Sequence, residues 1–202
     1  MARPSSPILS REKIAIAAIE MIDDGHELKI QPLAKTLGVS LSSIYHHVDG
    51  REGIVHAMRE VLSRDYEFIV PDGLEWRDAL KAGVLALWSL YSDHPRVMIH
   101  LLGVTVEEPR SLALYDSMIT TLKRAGIPRE EILTTLEILD AFAFGAALDA
   151  LSPTRIYSPD ETQTEMADLI ENHPSGSERT RLLFETGVEV ILDGIAARVP
   201  SA

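Results

Sequence analysis

Hydroxyl, phenol and imidazole side chains are concentrated in one short segment, residues 40–47. Serine and histidine can hydrogen-bond base edges or phosphate oxygens, a tyrosine hydroxyl can donate to a phosphate, and a leucine can contact a thymine methyl group. The free N–H groups at a helix start also bind phosphate oxygens. This chemistry favours a nucleic acid as the ligand. The residues expected on the outward face are Leu41, Ser42, Ser43, Tyr45, His46 and His47.

The surrounding residues predict two short helices that would present this face. Ala34 is small where two helices must cross closely, and Gly38 can adopt the left-handed conformation of a tight turn. Ser40 is a favourable N-cap for the second helix. Residues 31–51 therefore predict a helix-turn-helix, and a surface helical hairpin is the alternative. The apolar residues spaced to form its small core are Leu33, Leu37, Val39, Ile44 and Val48.

The chain lacks the residue patterns of common catalytic and metal sites. It has no cysteine, no glycine-rich phosphate loop and no paired ligands at the spacing of a zinc site. His94 and His100 are six positions apart, which places them on different faces of a helix. We therefore expect no enzyme and assign no cofactor or metal.

Apolar residues recur every three to four positions, and no segment alternates as a strand would. We expect an all-α protein with a disordered arm at residues 1–9, a helix-turn-helix domain with a connecting helix at 10–70, and a larger helical domain at 71–202. Pro71 and Gly73 mark the boundary. In the larger domain, helices are expected at 75–92, after Pro95, and at 109–125, 128–151, 162–171 and 178–199.

Charge and composition limit the partners and the compartment. The formal net charge is −12, but residues 1–70 carry 8 basic and 10 acidic side chains, so most of the excess acid lies beyond them. No apolar run is long enough to span a membrane, and the first residues do not have the form of a secretory signal. The absence of cysteine fits a reducing compartment. We expect a cytoplasmic protein with no membrane partner.

The helix-turn-helix region resembles the DNA-binding domain of the TetR (tetracycline-repressor) family. The resemblance rests on a helix ending at Gly25, on the segments LAKTLGVS (33–40) and IYHHV (44–48), and on Arg51 followed by Glu52. It implies a dimeric transcriptional regulator, usually a repressor, that binds a pseudo-palindromic operator in double-stranded DNA and is released by a small ligand.

The same resemblance assigns roles to single residues. Tyr45 and Arg51 would contact phosphate, and Gln31 would reach DNA from the first helix of the motif. Lys29 stands where the family usually has Ser or Thr, and Asp49 places an acidic group beside the recognition helix. The full set assigned to DNA contact is Lys29, Gln31, Ser40, Leu41, Ser42, Ser43, Tyr45, His46, His47 and Arg51.

By this resemblance, residues 71–202 form the ligand-binding and dimerisation domain, and the effector is small and largely apolar. The candidate pocket residues, which could instead be core residues, are Trp88, Tyr91, Met98, His100, Tyr115, Met118, Asp140 and Phe144. The candidate dimer-interface residues, which could instead pack within one subunit, are Phe142, Gly145, Ala146, Phe184, Gly187, Val188 and Ile191. Whether His100 and Asp149 bind a metal-chelated ligand is left open.

Two other functions stay open. Lys29, Asp49 and the slight negative charge of residues 1–70 favour a TetR-like regulator that has lost DNA binding and acts through other proteins. A helical carrier of hydrophobic small molecules is the third reading. The sequence does not determine the operator, the effector, the regulated genes, or whether the protein represses or activates.

Overall fold

The structure, a computed structural model, describes residues 9–65 and 73–199, which contain ten α-helices. No strand occurs in these ranges, and the all-α prediction is confirmed. Short 3-10 turns at Arg129–Glu131 and Asp149–Leu151 flank α8. The helices are α1 (Arg11–Asp23), α2 (Ile30–Thr36), α3 (Leu41–His47), α4 (Gly50–Asp65), α5 (Trp76–Asp93), α6 (Pro95–Leu101), α7 (Pro109–Arg124), α8 (Ile132–Leu148), α9 (Thr164–Glu171) and α10 (Gly176–Ala196).

Four parts of the expected organisation fall outside the described residues. These are residues 1–8 of the N-terminal arm, residues 66–70 at the end of the connecting helix, residues 71–72 of the expected domain boundary and residues 200–202 of the larger domain. Leu9, the last residue assigned to the arm, is described and is buried.

Local signals in the sequence set the ends of α1. Ser10 is its N-cap, and the Ser10 Oγ accepts a hydrogen bond from the Lys13 backbone N–H at 3.1 Å. The helix ends just before Gly25, whose φ of 85° lies in the left-handed region. Ile14 and Ala18, one turn apart, are fully buried on the same helix, which packs against α4.

The described residues divide into two compact units. The N-terminal unit contains residues 9–65 and 96–112, and in it α2 contacts both α1 and α3. The expected second domain began at residue 71, whereas residues 96–112 group with the N-terminal unit. The buried Arg59 of α4 accounts for this, because its guanidinium donates to three carbonyl oxygens of that segment. The acceptors are Leu101, Val104 and Thr105, at 2.6, 3.0 and 2.7 Å.

The C-terminal unit contains residues 73–95 and 113–199 and has its own hydrophobic core. Helix α8 packs against α5 and α10. Met118, Leu139 and Leu192 are fully buried in this core. Gly83 of α5 permits close packing, because a Cβ there would lie 2.9 Å from Cγ of Met118.

None of the helices in the described ranges is both long and apolar enough to cross a lipid bilayer.

Candidate nucleic-acid interface and ligand pocket

Helices α2 and α3 form the helix-turn-helix that the sequence predicted. Gly38 has a φ of 66°, and this left-handed residue turns the chain between the two helices. The Val39 backbone N–H donates to the Ala34 carbonyl oxygen at 3.0 Å, which closes the end of α2. Leu33 and Ile44 are fully buried, and Ala34 is nearly so. The interior of the motif therefore fixes how α3 presents its outer face.

The outer face of α3 carries the polar side chains assigned to DNA. Tyr45 is 55% exposed and Leu41 is 38% exposed. Their exposure leaves the phenol and the isobutyl group available to a ligand. The other candidates on this helix and its cap are exposed at Ser40, Ser42, His46 and His47, and half-buried at Ser43.

Three serine hydroxyls at the start of α3 form one hydrogen-bonded group. The Ser40 Oγ lies 2.8 Å from the Oγ of Ser42 and 2.8 Å from the Oγ of Ser43. It also accepts a hydrogen bond from the Ser43 backbone N–H at 3.2 Å, as an N-cap does. Ser40 therefore has a structural role as the N-cap of α3, and Ser42 is exposed whereas Ser43 is half-buried.

Both permanent cations assigned to DNA contact lie beside a partner that the sequence did not indicate. The Lys29 Nζ is 2.8 Å from a carboxylate oxygen of Glu27. The Lys29 ammonium holds the pKa of the Glu27 carboxyl below its ordinary value, and the Arg51 guanidinium adds to this effect. The Arg51 Nη2 lies 2.8 Å from the His100 Nδ1. Gln31 is exposed near the start of α2, whose N-cap is Lys29.

A cleft of about 680 Å³ in the N-terminal unit is lined mainly by carboxylates. Glu108 is its most buried acid and pairs with Arg59 (3.6 Å) and His56 (3.5 Å). Such a surface repels phosphate, and it shares no residue with the set assigned to DNA contact. The sequence had marked only Asp49 as acidic here. The lining residues are Arg11, Asp49, Glu52, Gly53, His56, Glu60, Glu107, Glu108 and Pro109.

Four of the pocket candidates come together in the C-terminal unit. The Asp140 carboxylate accepts hydrogen bonds from the Tyr91 hydroxyl at 2.6 Å and the Tyr115 hydroxyl at 3.2 Å. The Phe144 ring lies edge-on to the Tyr91 ring, with centroids 5.7 Å apart. Burial raises the pKa of the Tyr91 hydroxyl well above its ordinary value, and Tyr115 and Asp140 reinforce the shift. The hydroxyl therefore stays protonated and can act as a donor.

Trp88, another pocket candidate, lies one turn before Tyr91 on α5. Its ring stacks on Phe184 of α10 with centroids 4.3 Å apart. Its indole N–H is buried and has no hydrogen-bond partner among the described residues, as is also true of the Ser92 hydroxyl one turn further along α5. Unsatisfied buried donors are costly, so they are reasonable contacts for a bound polar group.

The remaining pocket candidates have other surroundings. Met118 is fully buried in the core of the C-terminal unit. Met98 and His100 belong to the N-terminal unit, where Met98 is buried. Of the two residues considered for a metal-chelated ligand, His100 contacts Arg51, and Asp149 accepts hydrogen bonds from Arg179 and Thr180.

A second cleft, of about 790 Å³, lies in the C-terminal unit and was not expected from the sequence. It is bordered by the segment after α8, by α9 and by the first half of α10. Arg179 fixes its wall by donating to the Asp149 carboxylate at 3.0 Å and to the carbonyl oxygens of Pro153 and Thr154 at 3.1 and 3.0 Å. These contacts join residues about thirty positions apart, which no local pattern signals.

Several residues of the predicted dimer interface are buried within the chain itself. Ala146, Phe184 and Val188 lie in the core of the C-terminal unit. Gly187 lies against the ring of Phe142. Phe142 and Ile191 are half-buried against the same core, and Gly145 is exposed. The large apolar side chains exposed on these helices are instead Leu133, Ile138, Leu182, Leu183 and Val190.

Known proteins resemble this chain over most of its length. Residues 70–199, well over half of the chain, match the family described as "Tetracyclin repressor-like, C-terminal domain". An HTH-type transcriptional regulator of Saccharopolyspora erythraea is 24% identical over 206 aligned residues, which cover 96% of this chain and 87% of that protein.

Two solved structures share the fold. The TetR family protein ActR of Streptomyces coelicolor, in complex with actinorhodin, has a TM-score of 0.77 at 18% identity, covering 97% of this chain and 100% of that chain. BioQ with its double-stranded DNA operator has a TM-score of 0.69 at 16% identity, covering 94% of this chain and 99% of that chain. With the family match, the helix-turn-helix and the all-helical architecture, the chain belongs to the TetR family of transcriptional regulators.

Proposed function

We propose that this protein is a ligand-responsive repressor that binds a pseudo-palindromic operator as a homodimer and is released by a small, largely apolar effector. The observation that carries the proposal is the outer face of α3, where Ser42, Tyr45, His46 and His47 are exposed on a helix fixed by the buried Ile44. The likeness to BioQ, a structure solved with its operator, supports this reading. A protein that acts on operator DNA works in the cytoplasm, which is the compartment we propose.

The proposed contacts divide into those that position the protein and those that read sequence. The Tyr45 hydroxyl and the Arg51 guanidinium suit phosphate oxygens, and Arg51 lies in the first turn of α4, where free N–H groups also favour an anion. Ser42 and His46 suit base edges in the major groove. Lys29 and Gln31 would add contacts from the start of α2.

A dimer is proposed because a two-fold operator needs two recognition helices one helical turn of DNA apart. Exposed apolar side chains on α8 and α10 offer a surface for it: Leu133 is 61% exposed, Ile138 48%, Leu183 45% and Val190 64%. Pairing of these helices with their copies would form a four-helix bundle. This surface replaces the buried residues named from the sequence.

The effector site is proposed at the aromatic group of the C-terminal unit. The side chains of Trp88, Tyr91 and Phe144 provide apolar ring faces, and Asp140 with Tyr115 provides the polar contacts. The likeness to ActR, whose structure was solved with actinorhodin, supports the proposal that this fold binds a small-molecule effector. An effector that prefers the DNA-incompetent conformation would reduce the DNA-bound population. Equal affinity of one effector for free and operator-bound protein would exclude this mechanism.

A band-shift assay with the DNA that flanks the gene of this protein tests the proposal. The purified chain is titrated at low salt, where phosphate contacts are strongest. A saturable shift that survives competition by unrelated DNA is expected. Absence of any shift at low salt would instead favour the alternative, a TetR-like regulator acting through other proteins, for which the carboxylates beside α4 are the supporting observation.

The family consists of transcriptional regulators rather than enzymes. We propose that this chain likewise performs no catalysis and that its response to the effector is conformational. Release of unchanged effector after denaturation of the complex, checked by mass spectrometry, is the expected result.

A further inference from the structure

We propose that His100 is a positioning residue for Arg51, holding the guanidinium ready for a DNA phosphate through a neutral hydrogen bond. The inference rests on the proposed DNA-binding function and adds a residue that neither the motif nor the family match assigns to it. It links the last turn of α6 to a side chain at the start of α4.

The geometry determines which tautomer of His100 is involved. A guanidinium has only N–H donors, so the His100 Nδ1, 2.8 Å from the Arg51 Nη2, must be the acceptor. The imidazole is then neutral and carries its proton on Nε2. One of the five Arg51 N–H groups is used by His100, and the others can still donate to a phosphate.

A neutral acceptor has a specific advantage at this place. An arginine side chain loses considerable conformational entropy when it becomes fixed in one rotamer. A side chain that is already fixed in the free protein loses less entropy when it binds DNA. A carboxylate partner would fix Arg51 equally well but would neutralise its charge. Glu27 is close enough for Arg51 to lower the pKa of its carboxyl. The contact with His100 keeps Arg51 in place without placing a further negative charge beside it.

His100 is itself held in place by the same helix that carries Arg51. Arg59, two turns after Arg51 on α4, donates to the carbonyl oxygen of Leu101, the residue next to His100, at 2.6 Å. It also donates to the carbonyl oxygen of Val104 at 3.0 Å. The end of α6 is thus fixed to α4 at two points, so the His100 imidazole has a defined position relative to the first turn of α4.

The test is a double-mutant cycle on DNA affinity. The four proteins are wild type, R51A, H100A and R51A/H100A, and the probe is a fluorescein-labelled mixed-sequence duplex of about 30 base pairs at low salt, where phosphate contacts act without regard to sequence. H100A is expected to weaken binding about three- to tenfold in the presence of Arg51. In the R51A background it should have no further effect.

Two substitutions at the same position separate positioning from packing. Asn places an amide oxygen near the position of Nδ1, so H100N should bind DNA within about twofold of wild type. Asp can also accept the hydrogen bond but cancels the Arg51 charge, so H100D should bind at least as weakly as H100A. Circular dichroism confirms that each variant is folded, and H173A, which removes an exposed imidazole from the C-terminal unit, is the matched control.

The outcomes are distinct. An equal loss from H100A with and without Arg51, or H100N as weak as H100A, would overturn the positioning role while leaving DNA binding intact. Absence of DNA binding by the wild-type protein would overturn the proposed function and this inference together. NMR of the labelled imidazole gives an independent readout, because a protonated Nδ1 at neutral pH would contradict the assigned hydrogen bond.

Discussion

Single side chains on the proposed DNA face are ordered by short-range hydrogen bonds. The Ser40 hydroxyl is committed to capping α3 and to its neighbours Ser42 and Ser43, so its removal would act on the helix first and on DNA second. Tyr45, in contrast, has a mostly exposed side chain. Its hydroxyl does not cap a helix. Substitution of Ser40 should therefore destabilise α3, whereas substitution of Tyr45 should weaken DNA binding without destabilising the fold.

Replacing Tyr45 with Phe removes a hydroxyl without changing the ring. We expect a loss of operator affinity of about tenfold, the size of a hydrogen bond to a charged group, with an unchanged melting temperature. Fluorescence anisotropy with operator DNA measures the first quantity and circular dichroism the second. Tyr157 is similarly exposed, at 58%, in the C-terminal unit, so Tyr157→Phe should leave DNA binding unchanged. Equal effects of both substitutions would argue against a contact at Tyr45.

Measurement of the His100 pKa tests the placement of Arg51 and Glu27 around the imidazole. Burial, followed by the Arg51 charge, lowers the pKa of the imidazole below 6.5, and Glu27 opposes the shift. R51A should therefore raise the pKa, and E27Q should lower it further. Titration by two-dimensional NMR measures both changes, and shifts of the same sign in the two variants would contradict the arrangement.

The same shift has a consequence for stability. Because the folded state disfavours the charged imidazole, the unfolded state binds the proton more readily below pH 6.5. The contribution of His100 to stability is therefore present above that pH and decreases as the pH falls through 6.5 towards the folded-state pKa. Urea unfolding of wild type and H100N across this range should show a smaller dependence on pH in the variant.

At the scale of helices, α4 connects the helix-turn-helix to the end of α6 within the N-terminal unit. Arg59 makes this connection through three backbone carbonyl oxygens and Glu108. The segment 102–108 has no regular helix of its own, so these bonds replace the backbone pairs that a helix would provide. Helix α4 is therefore a structural support within the N-terminal unit.

Arg59→Met and Arg64→Met form a matched pair on α4. Arg59 is 8% exposed, and its loss would remove the cation paired with the buried Glu108 and the donor to three carbonyl oxygens, so we expect a destabilisation of about 3 kcal/mol. Arg64 pairs with Glu12 and Glu60 on the surface, and its loss should cost less than about 1 kcal/mol. Urea denaturation compares the two. A similar cost for both would show that the buried contacts contribute little.

At the scale of the whole molecule, the proposed operator binding depends on association of two chains. Helices α8 and α10 each have one face in the subunit core and another that exposes large apolar side chains. Exposed apolar groups concentrated on two neighbouring helices are typical of an interaction surface. A charge placed on this surface should separate the subunits without unfolding either one.

Val190→Asp places a charge at a position 64% exposed in the single chain. We expect a folded monomer that binds operator at least about a hundredfold more weakly, because the two half-sites would no longer be bound together. Sedimentation equilibrium reports the mass and circular dichroism the fold. Leu85→Asp, at a 46% exposed position on α5, is the control that should remain dimeric. A monomeric wild type, or a dimeric Val190→Asp protein, would rule out this interface.

The sequence by itself determined the features that depend on neighbouring residues. The N-cap at Ser10, the left-handed turn at Gly38 and the start of α7 at Pro109 are set by local chemistry, so most helices begin close to their predicted positions. The helix-turn-helix could be predicted from the sequence because its core and its turn lie within one short segment. Its exposed contact residues remain predictions that only binding experiments test.

Only the tertiary structure decided contacts between residues far apart in the chain. Arg51 meets His100 and Tyr91 meets Asp140 across 49 positions each. Phe184 and Val188 lie in the core of the C-terminal unit, because α10 turns that face toward α5 and α8. Periodicity shows that a helix has an apolar face, but helices with apolar residues on two faces can bury either one, and the packing of the other helices selects which.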